Sequence, residues 1–143
     1  MGKKRIVKKG DEAAGGAARG TAARAPKRKL DTGILNVEAT YNNTKVSLAD
    51  ASGNVVLWTS SGSLGFSGAK KGTPFAAAKA GELIGEKAAA MGVRDVSVVV
   101  SGVGAGRESA IRAFTGKGIH IIGIKDATPV PHNGPRPPKP RRI

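Results

Sequence analysis

Large apolar side chains are concentrated in the middle of this chain, and this limits the folded part to one small domain. Residues 1–30 consist mainly of Lys, Arg, Ala and Gly, and residues 129–143 mainly of Pro, Arg and Lys. Such ends cannot bury enough apolar surface to offset the entropy that is lost on ordering. The sequence therefore predicts a disordered basic N-terminal arm over residues 1–30, a globular domain over residues 31–128 and an extended tail over residues 129–143.

The formal net charge of +14 is distributed unevenly along the chain. Residues 1–33 carry a net charge of +7 and residues 129–143 a net charge of +4, whereas residues 34–128 carry only +3. A nearly balanced body with cationic ends is typical of a protein that binds a polyanion, most simply nucleic acid. The basic residues of the predicted arm are Lys3, Lys4, Arg5, Lys8, Lys9, Lys27, Arg28 and Lys29.

Composition argues against several other classes of protein. The chain contains no cysteine, which excludes a disulfide framework and a Cys-based zinc site. His120 and His132, the two histidines, are too few and too far apart to suggest a metal site. No apolar run approaches the roughly 18 residues of a membrane span, and no hydrophobic stretch follows the first basic residues as in a secretory signal. We expect no cofactor.

The first half of the central region has the pattern of a β-meander followed by a helix. Three short segments rich in apolar residues are separated by the turn sequences YNNT and DASGN, which predicts three antiparallel strands. A helix is expected to begin at Pro74 with Thr73 as its N-cap, and to end before Gly92. Gly81 and Gly85 inside this helix reduce its stability, and we expect them to permit close packing against the sheet.

The second half adds two strands and a short helix. Residues 95–100 and 119–126 have the composition of buried strands, and residues 107–115 are predicted to form the helix between them. The order β-β-β-α-β-α-β indicates an α/β fold with a mixed five-stranded sheet. The later strands are joined through helical crossovers and should therefore run parallel.

Two glycine-rich loops place cations where phosphate groups bind. Lys70 and Lys71 precede the first helix, whose N-terminal N–H groups and dipole favour an anion. Residues 102–107, GVGAGR, are predicted to form a tight strand–helix turn that is compatible with an RNA phosphate contacting Arg107. The same loop partly matches a dinucleotide-binding fingerprint, but the chain that follows is too short for a dinucleotide domain.

Other motifs leave alternatives open. Asn42 and Asn43 either contact sugar and base edges or serve only as a hairpin turn. Glu38, Asp50 and Asp126 could hold magnesium in a nuclease-like site, although scattered surface charge is the simpler interpretation. The tail has the composition of a ligand for an SH3-type domain. Its prolines also hold the chain extended, so that its arginines are presented to phosphates.

Four segments together resemble a known family. They are YNNTKVSLAD, GFSGAKKGTPFAA, GAGRESAIRA and DATPVPHNGPRPPKPRRI, and they match bacterial-type small-subunit ribosomal protein eleven in order and spacing. The resemblance covers about residues 31–143, although Pro135 and Pro140 stand where the family usually has a cysteine and a basic residue. It implies a ribonuclease H-like topology without the catalytic carboxylates, and hence a protein that is not an enzyme.

The same resemblance implies partners and contact residues. Members of the family bind and bridge rRNA helices on the platform of the small subunit, in the cytoplasmic ribosome, and form part of the Shine–Dalgarno cleft near the mRNA. The implied protein partners are small-subunit proteins seven and eighteen and initiation factor three. The implied rRNA-binding residues are Asn42, Asn43, Thr44, Lys45, Lys70, Lys71, Gly72, Thr73, Gly104, Arg107, His132, Asn133, Gly134, Arg136, Lys139, Arg141 and Arg142.

Overall fold

The structure is a computed structural model that describes residues 29–142. The predicted arm residues Lys3, Lys4, Arg5, Lys8, Lys9, Lys27 and Arg28 lie outside this range, whereas Lys29 lies inside it and is exposed. The described chain contains a five-stranded mixed sheet and two α-helices, which confirms the predicted α/β class. Within residues 29–142 no helix has the length and apolar character needed to cross a membrane.

The strands are β1 (Thr32–Ala39), β2 (Thr44–Ala49), β3 (Val55–Ser60), β4 (Asp95–Ser101) and β5 (His120–Asp126), and the helices are α1 (Pro74–Ala90) and α2 (Arg107–Thr115). A short 3-10 turn, Gly68–Gly72, precedes α1. The strands lie in the order β3-β2-β1-β4-β5. β2 pairs antiparallel with β1 and β3, whereas β4 is parallel to β1 and β5 is parallel to β4.

The ends of α1 follow from local chemistry and match the prediction. The side-chain oxygen of Thr73 accepts a hydrogen bond from the backbone N of Ala76 at 3.4 Å. Pro74 occupies the start of the helix, where its missing N–H has no intrahelical partner to lose. Beyond the last turn, Gly92 has a φ of 84°, a left-handed conformation that ends helices at low cost for glycine.

The core lies between one face of the sheet and both helices. Apolar side chains at alternate positions of β1, β2 and β4 are buried on this face: Leu35, Val37, Val46, Leu48, Val96, Val98 and Val100. Ile84 of α1 and Phe114 of α2 are fully buried in the same cluster. Burying a side chain of this size stabilises the fold by about 1.5–3 kcal/mol relative to leaving it exposed. In the described chain, neither helix covers the opposite face of the sheet.

The two glycines inside α1 serve a different contact from the one predicted. A Cβ at Gly81 would collide with the carbonyl oxygen of Ala110, and a Cβ at Gly85 would lie 2.8 Å from the side chain of Lys117. Both neighbours belong to α2 or to the turn that follows it. The prediction of close packing against the sheet was therefore wrong, because these glycines allow the two helices to approach each other.

The last strand is also less buried than its composition suggests. Ile122 and Ile124 of β5 are 65% and 62% exposed. β5 is an edge strand that pairs only with β4 in the described sheet, and Ile121 is its most protected apolar side chain. Apolar composition identified a strand here, but the position of the strand at the sheet edge determines its burial.

Candidate nucleic-acid interface

One end of the sheet collects the loops that carry most of the predicted contact residues. β1, β3, β4 and β5 all end there, and β2 begins there. We call this region the loop end and define it as residues 40–43, 61–73 and 102–106 together with the tail from residue 127. Both helices also begin at this end, and their N-terminal N–H groups carry partial positive charge. The backbone alone therefore favours an anion here.

Hydrogen bonds join the first turn to the loop before α1. The hydroxyl oxygen of Ser61 lies 2.6 Å from Oδ1 of Asn43 and 2.7 Å from the carbonyl oxygen of Lys71. The backbone N of Gly62 donates to the same Asn43 oxygen at 3.3 Å, and the backbone N of Asn43 donates to Oγ1 of Thr40 at 3.1 Å. The Asn43 amide oxygen thus holds two loops together.

Thr44 is a core residue despite its place in the predicted contact set. Its side chain is fully buried, and its Oγ1 is the one buried side-chain polar atom of the described residues that has no hydrogen-bond partner. Gly106 packs directly against it, since a Cβ at Gly106 would collide with Oγ1 of Thr44. The Thr44 side chain therefore supports the loop end from the core side and is not accessible to a ligand at the surface.

Two predicted contact glycines are also required by packing. A Cβ at Gly72 would collide with the carbonyl oxygen of Tyr41, and a Cβ at Gly104 would collide with that of Thr40. The backbone N of Gly104 additionally donates to the carbonyl oxygen of Ala39 at 2.8 Å. Both glycines bring their loops against the first turn, so that three loops form one continuous surface.

Several predicted contacts remain available to a ligand. Asn42 and Lys70 are exposed, and Lys71 is half-buried. Lys45 is exposed and lies 3.9 Å from Glu38 in an ion pair whose side chains are 64% and 59% exposed. Such an exposed pair contributes at most about 1 kcal/mol, so it is readily exchanged for a phosphate.

The hydroxyl of Thr73, by contrast, has two partners inside the protein. It donates to the carbonyl oxygen of Lys70 at 2.7 Å, and it caps α1. The bond to Lys70 holds the cationic loop close to the start of the helix. The structure therefore assigns Thr73 a supporting position behind Lys70 and Lys71.

Arg107 joins the β4–α2 turn to the start of the tail. Its guanidinium donates to the carbonyl oxygen of Gly102, to Oγ1 of Thr128 at 3.3 Å and to Oδ2 of Asp126 at 2.8 Å. Oδ1 of Asp126 accepts from the backbone N and the hydroxyl of Thr128, at 2.9 and 2.6 Å. We call Arg107, Asp126 and Thr128 the tail clamp.

The tail clamp keeps its acidic member ionised. The hydrogen bond from the Thr128 hydroxyl, followed by those from Arg107 and from the Thr128 backbone, holds the pKa of Asp126 well below its usual range. The carboxylate in turn orients the Arg107 guanidinium toward the tail. The sequence predicted Arg107 as a phosphate contact, whereas the structure shows it engaged in internal hydrogen bonds.

Beyond the clamp the tail is extended and exposed. Residues 129–142 form neither helix nor strand, and Asn133 has a φ of 55°, which asparagine tolerates better than most residues. The exposed polar and basic residues are His132, Asn133, Gly134, Arg136, Lys139, Arg141 and Arg142. None of the ion pairs among the described residues involves a cation of the tail.

The carboxylates of the nuclease hypothesis are dispersed. Glu38 faces Lys45 near the loop end, whereas Asp50 lies at the opposite end of β2 and accepts from the backbone N of Asn54 at 2.9 Å. Asp126 belongs to the tail clamp. Residues 29–142 contain no group of three or more His, Asp or Glu side chains that could hold a metal ion. The magnesium alternative was therefore wrong, and scattered surface charge, the simpler interpretation, describes these carboxylates.

Comparison with known proteins identifies the family of this chain. The family model of ribosomal protein S11 matches residues 33–142. The chain belongs to this family. The resemblance inferred from the four sequence motifs is thus confirmed, and the match includes the loop end, the tail clamp and nearly the whole tail.

Individual S11 relatives are similar over most of their length. The small ribosomal subunit protein uS11 of Acaryochloris marina is 54% identical over 120 residues, which cover 84% of this chain and 92% of the relative. The uS11 protein of Rippkaea orientalis is 52% identical over 123 residues, or 86% and 95% of the two chains. That of Solibacter usitatus is 54% identical over 117 residues, or 82% and 87%.

The structure adds one loop-end residue that sequence reasoning missed. Tyr41 is 78% exposed at the tip of the first turn, next to Asn42. An exposed aromatic ring can stack on an unpaired base. The sequence does contain a sign of this residue, since Tyr41 is an aromatic residue in an otherwise polar turn. A large ring at such a position does not contribute to the core.

Proposed function

We propose that this S11-family protein is a structural, non-enzymatic constituent of the small subunit in the cytoplasmic ribosome and binds rRNA through the loop end and the tail. One observation carries the proposal: exposed cations, two helix N-termini and the start of the cationic tail converge at one end of the sheet. Phosphate neutralisation by Lys and Arg supplies most of the affinity in such complexes. The similarity to relatives named as small ribosomal subunit proteins supports this assignment.

The arrangement also supports a bridging role between rRNA helices. The loop end is a compact surface, whereas residues 129–142 form an extended, proline-rich segment. At about 3.1 Å per residue, such a segment reaches roughly 40 Å from the clamp. One protein can therefore bind phosphates of two separate RNA helices, which is the role we propose on the platform and beside the Shine–Dalgarno cleft.

Family resemblance supports the remaining details of the proposal. The strand order β3-β2-β1-β4-β5 is consistent with a ribonuclease H-like topology. We extend the proposal to small-subunit proteins seven and eighteen and initiation factor three as neighbours, with mRNA close by. We also propose that the chain is organised as an arm over residues 1–30, a domain over residues 31–128 and a tail over residues 129–143.

The salt dependence of rRNA binding tests the tail assignment. Each neutralised duplex phosphate adds about 0.9 to the slope of log affinity against log salt. Replacing Arg136, Lys139, Arg141 and Arg142 with Gln should therefore lower the slope by up to about 3.6 for a fragment of small-subunit rRNA. Filter binding over a range of KCl concentrations measures the slope.

A matched control removes the same charge elsewhere. Lys87, Arg94, Arg112 and Lys117 are exposed cations of the helices and of the turns at the far end of the sheet. Their replacement with Gln should leave the slope nearly unchanged. Equal slopes for the tail and control variants would refute the tail assignment. Loss of the wild-type protein from small subunits in a moderate-salt wash would count against the ribosomal role itself.

A further inference from the structure

The face of the sheet opposite the helices, which we call the open face, carries a second set of potential ligand contacts. Its side chains alternate with the buried residues of the core, so that Asn36 and Ser47 point away from the helices while Val37 and Val46 point toward them. Strand register defines a row of residues across the middle of this face. The row consists of Trp58, Ser47, Asn36, Val99 and Lys125.

The row presents one side chain from each strand, and these side chains differ in chemical character. Trp58 on the edge strand β3 is 66% exposed, although tryptophan is among the side chains that gain most from burial. Lys125 is exposed on the other edge strand, β5. Neighbouring strands lie about 4.8 Å apart, so the row spans roughly 19 Å. Between its ends, the side chains of Asn36 and Ser47 offer hydrogen-bond donors and acceptors.

The arrangement fits nucleotides better than the surface of another protein. Protein interfaces place their apolar anchors at the centre and their polar residues at the rim. Here the large exposed aromatic side chain lies at one edge, and an amide and a hydroxyl lie near the middle. The row contains one cation and no acid, and the acid that flanks it on β1, Glu38, is paired with Lys45. A ligand with flat apolar faces, polar edges and negative charge complements this pattern.

We propose that the open face binds unpaired RNA nucleotides. A base stacks on Trp58, Asn36 and Ser47 hydrogen-bond the edges of neighbouring bases, and Lys125 contacts a phosphate. Aromatic side chains on an exposed sheet are a general means of binding single-stranded RNA. The inference rests on the proposed rRNA-binding function, to which it adds a second surface and the class of RNA that this surface recognises.

The two surfaces differ in their dependence on salt. Stacking releases no counterions, whereas phosphate contacts at the loop end and tail do. Trp58→Ala should therefore weaken binding of rRNA that contains an unpaired segment by about ten-fold and leave the salt slope unchanged. Trp58→Phe retains a stacking ring and should lose less affinity. Ile124→Ala removes another exposed apolar side chain of the sheet, outside the row, and should have no effect.

Trp58 is also the only tryptophan of the chain, so tryptophan emission, excited selectively over that of Tyr41, reports on this face alone. We would titrate the full-length protein with a short oligouridylate and with an rRNA fragment that contains an unpaired loop. Stacking should quench the emission in both titrations, and circular dichroism would verify the fold of each variant. Unaltered emission, or unaltered affinity in Trp58→Ala, would overturn the proposal while rRNA binding by the loop end persists.

The remaining outcomes separate this proposal from its alternatives. Failure of every variant and of the wild type to bind rRNA would reject the proposed function itself. A blue shift on adding another small-subunit protein, without a response to RNA, would show a protein interface and overturn the proposal. The proposal would also be overturned if Trp58 in the free full-length protein emitted like a buried indole and deletion of residues 1–28 changed its emission to that of an exposed indole.

Discussion

Replacing Gly81 with Ala should destabilise this protein, although the same change stabilises most helices. Alanine in a helix interior is favoured over glycine by about 1 kcal/mol. At this position, however, the new Cβ would collide with the carbonyl oxygen of Ala110 and lie 3.1 Å from its Cα. These are backbone atoms, which cannot avoid the clash by a change of rotamer, so α1 and α2 must move apart. Such overpacking costs about 2–3 kcal/mol, which leaves a net loss of roughly 1–2 kcal/mol.

Gly85 provides the matched control one turn further along α1. The closest atom to a Cβ at this position is the Cγ of Lys117, at 2.8 Å, and the carbonyl oxygen of Phe114 follows at 3.2 Å. Rotation of the Lys117 side chain moves this Cγ away. The carbonyl oxygen of Phe114 and the Cβ of Lys117, at 3.3 Å, then need to shift by only a few tenths of an ångström. Gly85→Ala should therefore change the free energy of unfolding by less than about 1 kcal/mol, because the helix propensity of alanine offsets this smaller strain.

Urea denaturation followed by circular dichroism measures both variants against the wild type. We expect the midpoint of Gly81→Ala to fall and that of Gly85→Ala to stay close to the wild-type value, with similar m-values for all three proteins. A Gly81→Ala protein as stable as Gly85→Ala, or more stable than the wild type, would refute the close approach of the two helices.

Three further predictions concern the loop end and the residues that support it. Thr44→Val removes a buried hydroxyl without a partner, so it should raise the free energy of unfolding by about 1 kcal/mol without changing rRNA affinity; a loss of affinity would restore Thr44 as a contact. Lys70→Gln should lower the salt slope of rRNA binding by about 0.9, measured by filter binding with Lys87→Gln as the control. Asp126→Asn should loosen the tail clamp and speed proteolysis of residues 127–142. Because the folded pKa of Asp126 lies below the ordinary value of about 3.9, the clamp's stabilisation is present above that pH and is lost as the pH falls further. The stability difference between Asp126→Asn and the wild type should therefore be constant near neutral pH and shrink below about pH 4, as urea titrations at each pH would show; a difference that instead vanished near pH 7 would contradict the clamp.

The charge distribution and the clamp together suggest how binding is organised. The net charge of residues 34–128 is only +3, so affinity for a polyanion depends on where the exposed cations lie. The buried side chains and glycines of the loop end hold three loops together, and the tail clamp directs the exit of the tail. Internal hydrogen bonds thus position the exposed cations before RNA arrives, which reduces the entropy cost of binding.

The sequence by itself determined the features that depend on neighbours in the chain. The N-cap at Thr73, the proline that begins α1 and the glycine that follows it are local signals, and they identified the helix ends correctly. Alternating and β-branched segments identified five strands, since period-two burial is visible along a single strand. Motif spacing identified the S11 family before any tertiary contact was known.

Only the tertiary structure decided which residues face outward. Thr44 and Asn43 sit in the same turn sequence as the exposed Asn42, yet Thr44 is buried and Asn43 holds a neighbouring loop. Arg107 contacts Asp126 across 19 positions of sequence, which no local pattern records. Burial and hydrogen bonding depend on segments that are distant along the chain. The sequence therefore predicts which chemical groups are present, and the fold decides which of them a ligand can reach.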